Sequence, residues 1–324
     1  MHIEKVDGMK ILVTGSNGYI GSVLCEQLID AGHSVIAIDN LEHEQNSLAH
    51  LFHTGKLKFI HGDVTSDSFM EKTLKNEKYD FIIPLAAVVG FPLSEFKPEY
   101  AAMVNVEQIC SILAYKHKKA GIIFPNTNSG YGNAKGGECT EESPLNPSSA
   151  YGKTKCQAER IITANCDNYV VFRLATVFGM SPRIRTDLLV NNFVWKAVHD
   201  KSLVLFERKF TRNFVHVRDV CRAFIFAIDN WKKMKNNIYN LGHPKFNITK
   251  LKLAEMIKKE VPDLEIIFRE GRTDPDKRDY IISNAKILAT GFKFEYPLDR
   301  GIKELIEGYK SMKNTKFQNW DDVG

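Results

Sequence analysis

The chain has 324 residues, 44% of them hydrophobic and 26% charged, the balance of a soluble globular protein with room for one large domain or two modest ones. Its 44 lysines and arginines exceed its 39 acids by only five, without a basic stripe carrying interleaved aromatics, so a nucleic-acid-binding surface is not expected. The six cysteines form no C-x-x-C pair, which speaks against a zinc site or a disulfide frame and fits reduced thiols in a cytoplasmic protein.

In chain order, Met1–Lys10 is polar and lacks the apolar core of a signal peptide. Strands are expected at Lys10–Thr14 and Ser34–Ile38, with a helix at Gly18–Ala31 between them. Further strands follow at Leu57–Ile60 and Phe81–Leu85, flanking a helix near Ser66–Leu74. Phe81–Gly90 is the most apolar stretch, but it is about half the ~20 residues a membrane helix needs and contains Pro84. A long helix is expected at Pro98–His117, then a strand at Gly121–Pro125, a helix over Ser149–Cys166 and a strand at Tyr169–Leu174. The short lysine-rich runs Tyr115–Lys119 and Trp231–Lys235 read as solvated helix ends. Strand–helix alternation implies crossover connections and a parallel sheet covered on both faces, and the nearly unbroken apolar runs IIPLAA and VVFRLA suit such buried strands.

Beyond Phe178 the pattern loosens. Helices are expected at Leu188–Val198, Arg218–Trp231, Thr249–Val261, Ala285–Thr290 and Leu298–Met312, with strands at Asn213–Val217 and Asn237–Leu241. The expected fold class is α/β, a Rossmann-type doubly wound parallel sheet with a smaller, mostly helical C-terminal lobe. Residues 1–178 form the dinucleotide domain, 213–241 return to it, and 179–212 with 242–324 form the lobe.

The segment ILVTGSNGYIGSVL sets Gly15, Gly18 and Gly21 between the first strand and the first helix. Gly15 permits the tight turn, Gly18 lets backbone approach a pyrophosphate, and Gly21 lets helix and strand pack closely. The helix N-terminus then offers free N–H groups to phosphate. A glycine triplet alone is weak, but here Asp39 closes the second strand, where an acid can hold ribose hydroxyls. That carboxylate repels a 2′-phosphate, and Asn40, Leu41 and Glu42 supply no arginine to bind one, so NAD is expected over NADP. Asp63, in HGDV, reads equally well as an adenine contact or as a solvated loop acid.

Y-x-x-x-K occurs four times, at Tyr115/Lys119, Tyr131/Lys135, Tyr151/Lys155 and Tyr309/Lys313, so the spacing alone decides nothing. On a helix it sets the lysine beside the tyrosine, where an ammonium lowers the phenol pKa. Of the four, Tyr151 opens a helix after a loop at the C-terminal edge of the sheet, the edge where open α/β sheets bind ligands. Thr127 lies just past the end of the fifth strand; its spacing alone favours an ordinary loop residue.

With these residues in place, the chain resembles the extended short-chain dehydrogenase/reductase family of NAD-dependent nucleotide-sugar epimerases, dehydratases and dehydrogenases. The matching pieces run in order over roughly residues 10–310: TGSNGYIG, Asp39, HGDV, LAA at Leu85–Ala87, TNSGYG, YGKTK, RLATVFG and RNFVHVRDV. The resemblance implies that Thr127, Tyr151 and Lys155 are catalytic. It implies cofactor contacts from Gly15, Asn17, Gly18, Tyr19, Ile20, Gly21, Asp39, Asn40, Asp63, Val64, Leu85, Ala86, Ala87, Asn105 and Val177, besides Tyr151 and Lys155. For the substrate it implies Thr127, Asn128, Asn191, Asn192, Arg212 and Arg278, two guanidinium forks suiting a diphosphate. It also implies a homodimer through Pro98–His117 and Ser149–Cys166; the alternative is that these faces (Met103, Val106, Ile109, Cys110, Leu113; Ala158, Ile161, Ile162) only cover the sheet. No metal, nucleic acid or membrane partner is expected.

Two departures matter. The family's dehydratases carry an Asp–Glu pair directly after the catalytic threonine; here Asn128 and Ser129 stand there and cannot serve as acid and base, so 4,6-dehydration is not expected. The family's usual histidine before LAA is replaced by Pro84. Within the family, TNSGYG, RLATVFG and DPDKRDY are most similar to dehydrogenases that oxidise GDP-heptose at C4 for capsule or surface polysaccharide, which makes a GDP-sugar the favoured substrate. The alternatives are a 4-epimerase without net redox and a dinucleotide-sensing regulator, the latter opposed by the intact tyrosine and lysine.

Overall fold

The computed structural model describes residues 8–44, 46–90, 93–134, 137–269 and 279–313. The first half runs β1 (Lys10–Thr14), α1 (Tyr19–Asp30), β2 (Ser34–Asp39), β3 (Leu57–His61), α2 (Asp67–Asn76), β4 (Phe81–Pro84), α3 (Leu93–Phe96), α4 (Pro98–Ala102), α5 (Gln108–Tyr115) and β5 (Gly121–Thr127). Then follow β6 (Glu138–Cys139), α6 (Ala150–Asn165), β7 (Tyr169–Leu174), β8 (Thr176–Phe178), α7 (Leu189–His199), β9 (Ser202–Leu205) and β10 (Thr211–His216). The chain continues through α8 (Val217–Asp229), α9 (Trp231–Met234), β11 (Asn237–Leu241), β12 (Asn247–Thr249), α10 (Lys250–Glu260), β13 (Glu265–Phe268), β14 (Ile281–Ile282), α11 (Ala285–Ala289) and α12 (Leu298–Lys310).

Seven strands form one parallel sheet in the order β11-β7-β5-β4-β1-β2-β3. The two-residue period of a strand sends neighbours to opposite faces. Thus Ile11 and Val13 enter a core with α1 and α8, while Leu12 enters one with α2, α5 and α6. Both faces are covered by helices, which is why the strand segments are apolar without alternation. The order reverses between β1 and β4, and their C-terminal ends open a crevice there.

A third core gathers Phe178, Val194, Phe214, Leu253, Ile302 and Leu305 between α7, α10 and α12, forming the second lobe. The strand expected at Asn213–Val217 is β10, and it pairs with β8 and β12 rather than with the large sheet. The chain also holds short strands that the sequence pattern did not reveal, because two to four residues are too few to display a period of two.

The single helix expected over Pro98–His117 is instead three pieces, with a π-helical turn at Met103–Glu107 between α4 and α5. The wider turn lets Asn105 turn inward to the main chain of Val88, while Gln108 Nε2 donates to the carbonyl of Ala86 at 2.6 Å. Among the described residues no helix is long and apolar enough to cross a membrane, and no group of His, Cys, Asp and Glu could hold a metal ion. All six cysteines are free.

Candidate active site

The crevice at the reversal of strand order is a cleft of about 320 Å³, in the size range of small-molecule sites. Its floor is the β1–α1 turn. Gly15 has φ +64, and a Cβ there would lie 2.5 Å from the amide nitrogen of Ala86; at Gly21 it would lie 2.3 Å from the carbonyl oxygen of Gly15. Only glycine fits either position. Gly18 caps α1 with no side-chain hydrogen bond, and the first turn holds no acid, so its N–H groups face the cleft with the positive end of the helix dipole. Asp39 closes β2 and accepts from the N–H groups of Asn17 and Leu41, both at 2.9 Å. Asn17 in turn accepts from Ser47 N at 3.0 Å, tying the loop after β2 to the glycine turn. Bare amides over one end and a fixed carboxylate at the other fit a dinucleotide: the amides suit its diphosphate and Asp39 its ribose.

The chemistry-bearing wall comes from β5 and α6. Ser149 caps α6 by accepting from Gly152 N at 3.1 Å, which starts the helix there and sets Tyr151 in its first turn, lining the cleft. Thr127 ends β5 and also lines the cleft; its Oγ1 donates to Ser129 Oγ at 2.9 Å and accepts from Ser129 N at 3.1 Å. Lys155 is buried one turn beyond Tyr151, with Nζ 4.0 Å from the Phe124 ring centre. Burial lowers its pKa to about 7, against the pull of Cys156 and Glu159.

Behind this wall lies a buried polar network. Arg173 forks onto Glu159 with contacts of 2.6 and 3.1 Å, both side chains only 4% exposed. Glu159 also accepts from Asn126, whose Oδ1 accepts from Thr127 N at 2.8 Å. The charge pair thereby holds the main chain that presents Thr127.

Among the four Y-x-x-x-K tyrosines, only Tyr151 lines the cleft. Tyr115 donates to Asp67 at 2.7 Å, outside it; Tyr131 donates to Asn240 at 2.7 Å inside the Arg173 network; Tyr309 is buried in the core of the second lobe. Of the expected cofactor residues, all except Asn105 and Lys155 line the cleft. Asn105 spends its amide on Val88 and on Thr154 Oγ1 at 3.0 Å, so it braces α6 rather than facing a ligand. Asp63 lines the cleft while one carboxylate oxygen accepts from Thr65.

The expected substrate residues divide differently. Thr127 lines the cleft, but Asn128 is wholly buried away from it with an amide that finds no partner among the described residues. Asn191 accepts from Gly179 N and donates to the carbonyl of Arg185, holding the loop before α7; Asn192 does not line the cleft. Arg212 is buried behind Tyr280, with its guanidinium 5.8 Å from that ring, and Tyr280 is the one that lines the cleft. Arg278 lies outside the described residues. Sequence reasoning missed Asn126, Ser149, Arg183, Arg185 and Tyr280 on this cleft. The alternating arginines of SPRIRTD, just after RLATVFG, were the available signal.

The sequence profile of the NAD dependent epimerase/dehydratase family matches residues 11–242. The dTDP-D-glucose 4,6-dehydratase of Bos taurus is 26% identical over 333 aligned positions, covering 97% of this chain and 91% of that protein. The UDP-glucose 4-epimerase of Lactobacillus helveticus is 29% identical over 293 positions, covering 83% and 87%. The crystal structure of dTDP-glucose 4,6-dehydratase from Bacillus anthracis in complex with NAD superimposes with a TM-score of 0.79 at 24% identity, covering 96% of this chain and 99% of that one, a likeness of fold.

Proposed function

Because the chain belongs to the NAD-dependent epimerase/dehydratase family, we propose that it oxidises a nucleotide-activated sugar at C4. It is an enzyme, and its cofactor is NAD. The observation that carries the C4 reading is the pairing of Tyr151 and Thr127 on one wall of the cleft whose floor is the glycine turn. Bound NAD supplies the acceptor for the electron pair that leaves the sugar carbon. Tyr151, as phenolate, takes the proton of the hydroxyl being oxidised. Lys155, one helical turn away, favours that phenolate in its ammonium form, and each charge stabilises the other. Thr127, held by Ser129, steadies the same oxygen, and the buried Glu159–Arg173 pair keeps its main chain in place.

The finer reading is net oxidation of a GDP-linked heptose to its 4-keto form, supported by TNSGYG, RLATVFG and DPDKRDY. A 4-epimerase is the second reading, favoured by the similarity to UDP-glucose 4-epimerase over most of the chain. Elimination of water is opposed by Asn128 and Ser129, since neither an amide nor a hydroxyl does the work of a carboxylic acid–carboxylate pair. The test is mass spectrometry of products from GDP-, UDP- and dTDP-sugars, including sugars deuterated at C4. Deuterium in the recovered cofactor with a product two mass units lighter than unlabelled substrate supports net oxidation. Unchanged mass with C4 inverted replaces it by epimerisation, and a product two mass units lighter than the labelled substrate that still carries its deuterium at C4 defeats C4 oxidation.

The homodimer also belongs to this proposal. Val106, Ile109, Ala158 and Ile162 are buried within the chain, whereas Met103 and Cys110 stay exposed on the same helices. Light scattering that shows only a monomer at micromolar concentration defeats it.

A further inference from the structure

The loop between β8 and α7 brings an unexplained charge to the cofactor cleft. Arg183 lines that cleft yet is only 1% exposed. Its Nη1 donates to the carbonyl of Ile184 at 3.3 Å, whereas Nε and Nη2 find no partner among the described residues. Two residues on, Arg185 forks onto Asp187, so its charge is answered. Two acids act on Arg183 through space without hydrogen-bonding to it: Asp187, which Arg185 already forks, and Asp39, whose oxygens already accept from Asn17 and Leu41. A buried guanidinium whose donors meet no hydrogen-bonded anion is costly, and such a group is retained where a ligand completes it. Burial, with Arg185 adding repulsion, draws its pKa down to about 10, which leaves it charged at neutral pH.

The loop that carries Arg183 is strapped to the first turn of α1. Tyr19 Oη donates to the carbonyl of Gly179 at 2.6 Å, Ser181 Oγ donates to the carbonyl of Tyr19 at 2.7 Å, and the hydroxyls of Ser22 and Ser181 lie 3.0 Å apart. This is the turn whose uncapped amides face the cleft. On its other side, Ile184 packs against the core of the second lobe. We infer that Arg183 clamps the diphosphate of NAD, its Nε and Nη2 completing the anion site that the α1 amides begin. A planar fork with two free donors suits neighbouring phosphate oxygens. The 2′-phosphate of NADP is disfavoured as its target, because Asp39 stands beside that position. Since Arg183 sits on a loop packed on the second lobe, the clamp also links cofactor occupancy to the seat of that lobe. The inference rests on the NAD assignment and is independent of the C4 reading, so either can fail alone.

Calorimetry on protein stripped of cofactor tests it, with NAD⁺, ADP, adenosine and NADP⁺ as ligands and GDP or UDP added at saturating NAD⁺. Arg183→Met should weaken NAD⁺ and ADP about 10- to 100-fold, the range for a hydrogen bond to a charged group. Adenosine, GDP and UDP should bind as before, and Arg183→Lys should recover part of the loss. The ligand-free melting temperature of Arg183→Met and Arg183→Gln should stay level or rise, because each removes an unanswered buried charge. Unchanged NAD⁺ affinity overturns the clamp. So does a loss confined to NADP⁺, which would make Arg183 a 2′-phosphate reader, or a loss confined to GDP and UDP, which would assign it to the sugar nucleotide. A lowered ligand-free melting temperature in both variants would mean that Arg183 is structural.

Discussion

The two ends of the cleft are made of different materials. The phosphate end is backbone: a glycine at φ +64, a helix start without a side-chain cap, and amides organised by Asp39. The chemistry end is side chains resting on a buried charge network that runs from Arg173 through Glu159 and Asn126 to the amide of Thr127. Backbone sites fail when a Cβ intrudes, even where no charge changes. Side-chain sites fail when one partner of a buried pair is removed, because the other is left desolvated and unanswered.

That contrast can be broken most sharply at Tyr151. Tyr151→Phe should reduce turnover about 10²- to 10⁴-fold, the usual contribution of a positioned proton acceptor, while NAD binding stays intact. Tyr115→Phe and Tyr309→Phe should remain active, since neither tyrosine lines the cleft. Turnover near normal in Tyr151→Phe would mean another group takes the proton. Next comes the support behind it. Arg173→Met leaves the Glu159 carboxylate buried without its cation and should cost about 3–5 kcal/mol of stability by chemical denaturation. Pairing it with Glu159→Gln should recover part of that loss; equal loss in single and double variants would show that the pair is not the supporting element.

At the backbone end, Gly15→Ala combines a positive φ with a Cβ 2.5 Å from Ala86 N. Stability should fall by about 1–3 kcal/mol, and NAD retention through gel filtration should be lost even though no charge changes. A variant that keeps its cofactor would show that the turn is less constrained than its geometry indicates. The last effect is a slope with pH. Lys155 titrates near 7 in the fold against 10.5 in an unconstrained chain, so between these values the unfolded state holds more protons. Below pH 7 both states are protonated and the burial penalty is fully present; above 10.5 both are neutral and it is gone. The melting temperature of the ligand-free protein, relative to Lys155→Met, should therefore climb from pH 7 to 9. Parallel curves would show that Lys155 is solvated enough to keep its proton.

The parallel sheet, the glycine turn, Asp39 at the end of β2 and the place of Tyr151 at the sheet's C-terminal edge were legible in the sequence, because each follows from local spacing or from a regular period. Gly15 makes the tight turn between β1 and α1, and Tyr151 is set by the Ser149 cap two residues earlier. What only the tertiary structure decided were contacts across long separations. Asn105 carries a polar side chain of the expected kind, yet the π-helical turn spends it on Val88 and Thr154. Asn128 follows Thr127 directly, but the chain turns it into the interior rather than toward the cleft. Arg183 reaches the cofactor cleft because Tyr19 and Ser181 pin its loop to α1 across some 160 residues of chain. Local spacing carries no record of such a pairing, since the partner is chosen by how the second lobe packs on the first.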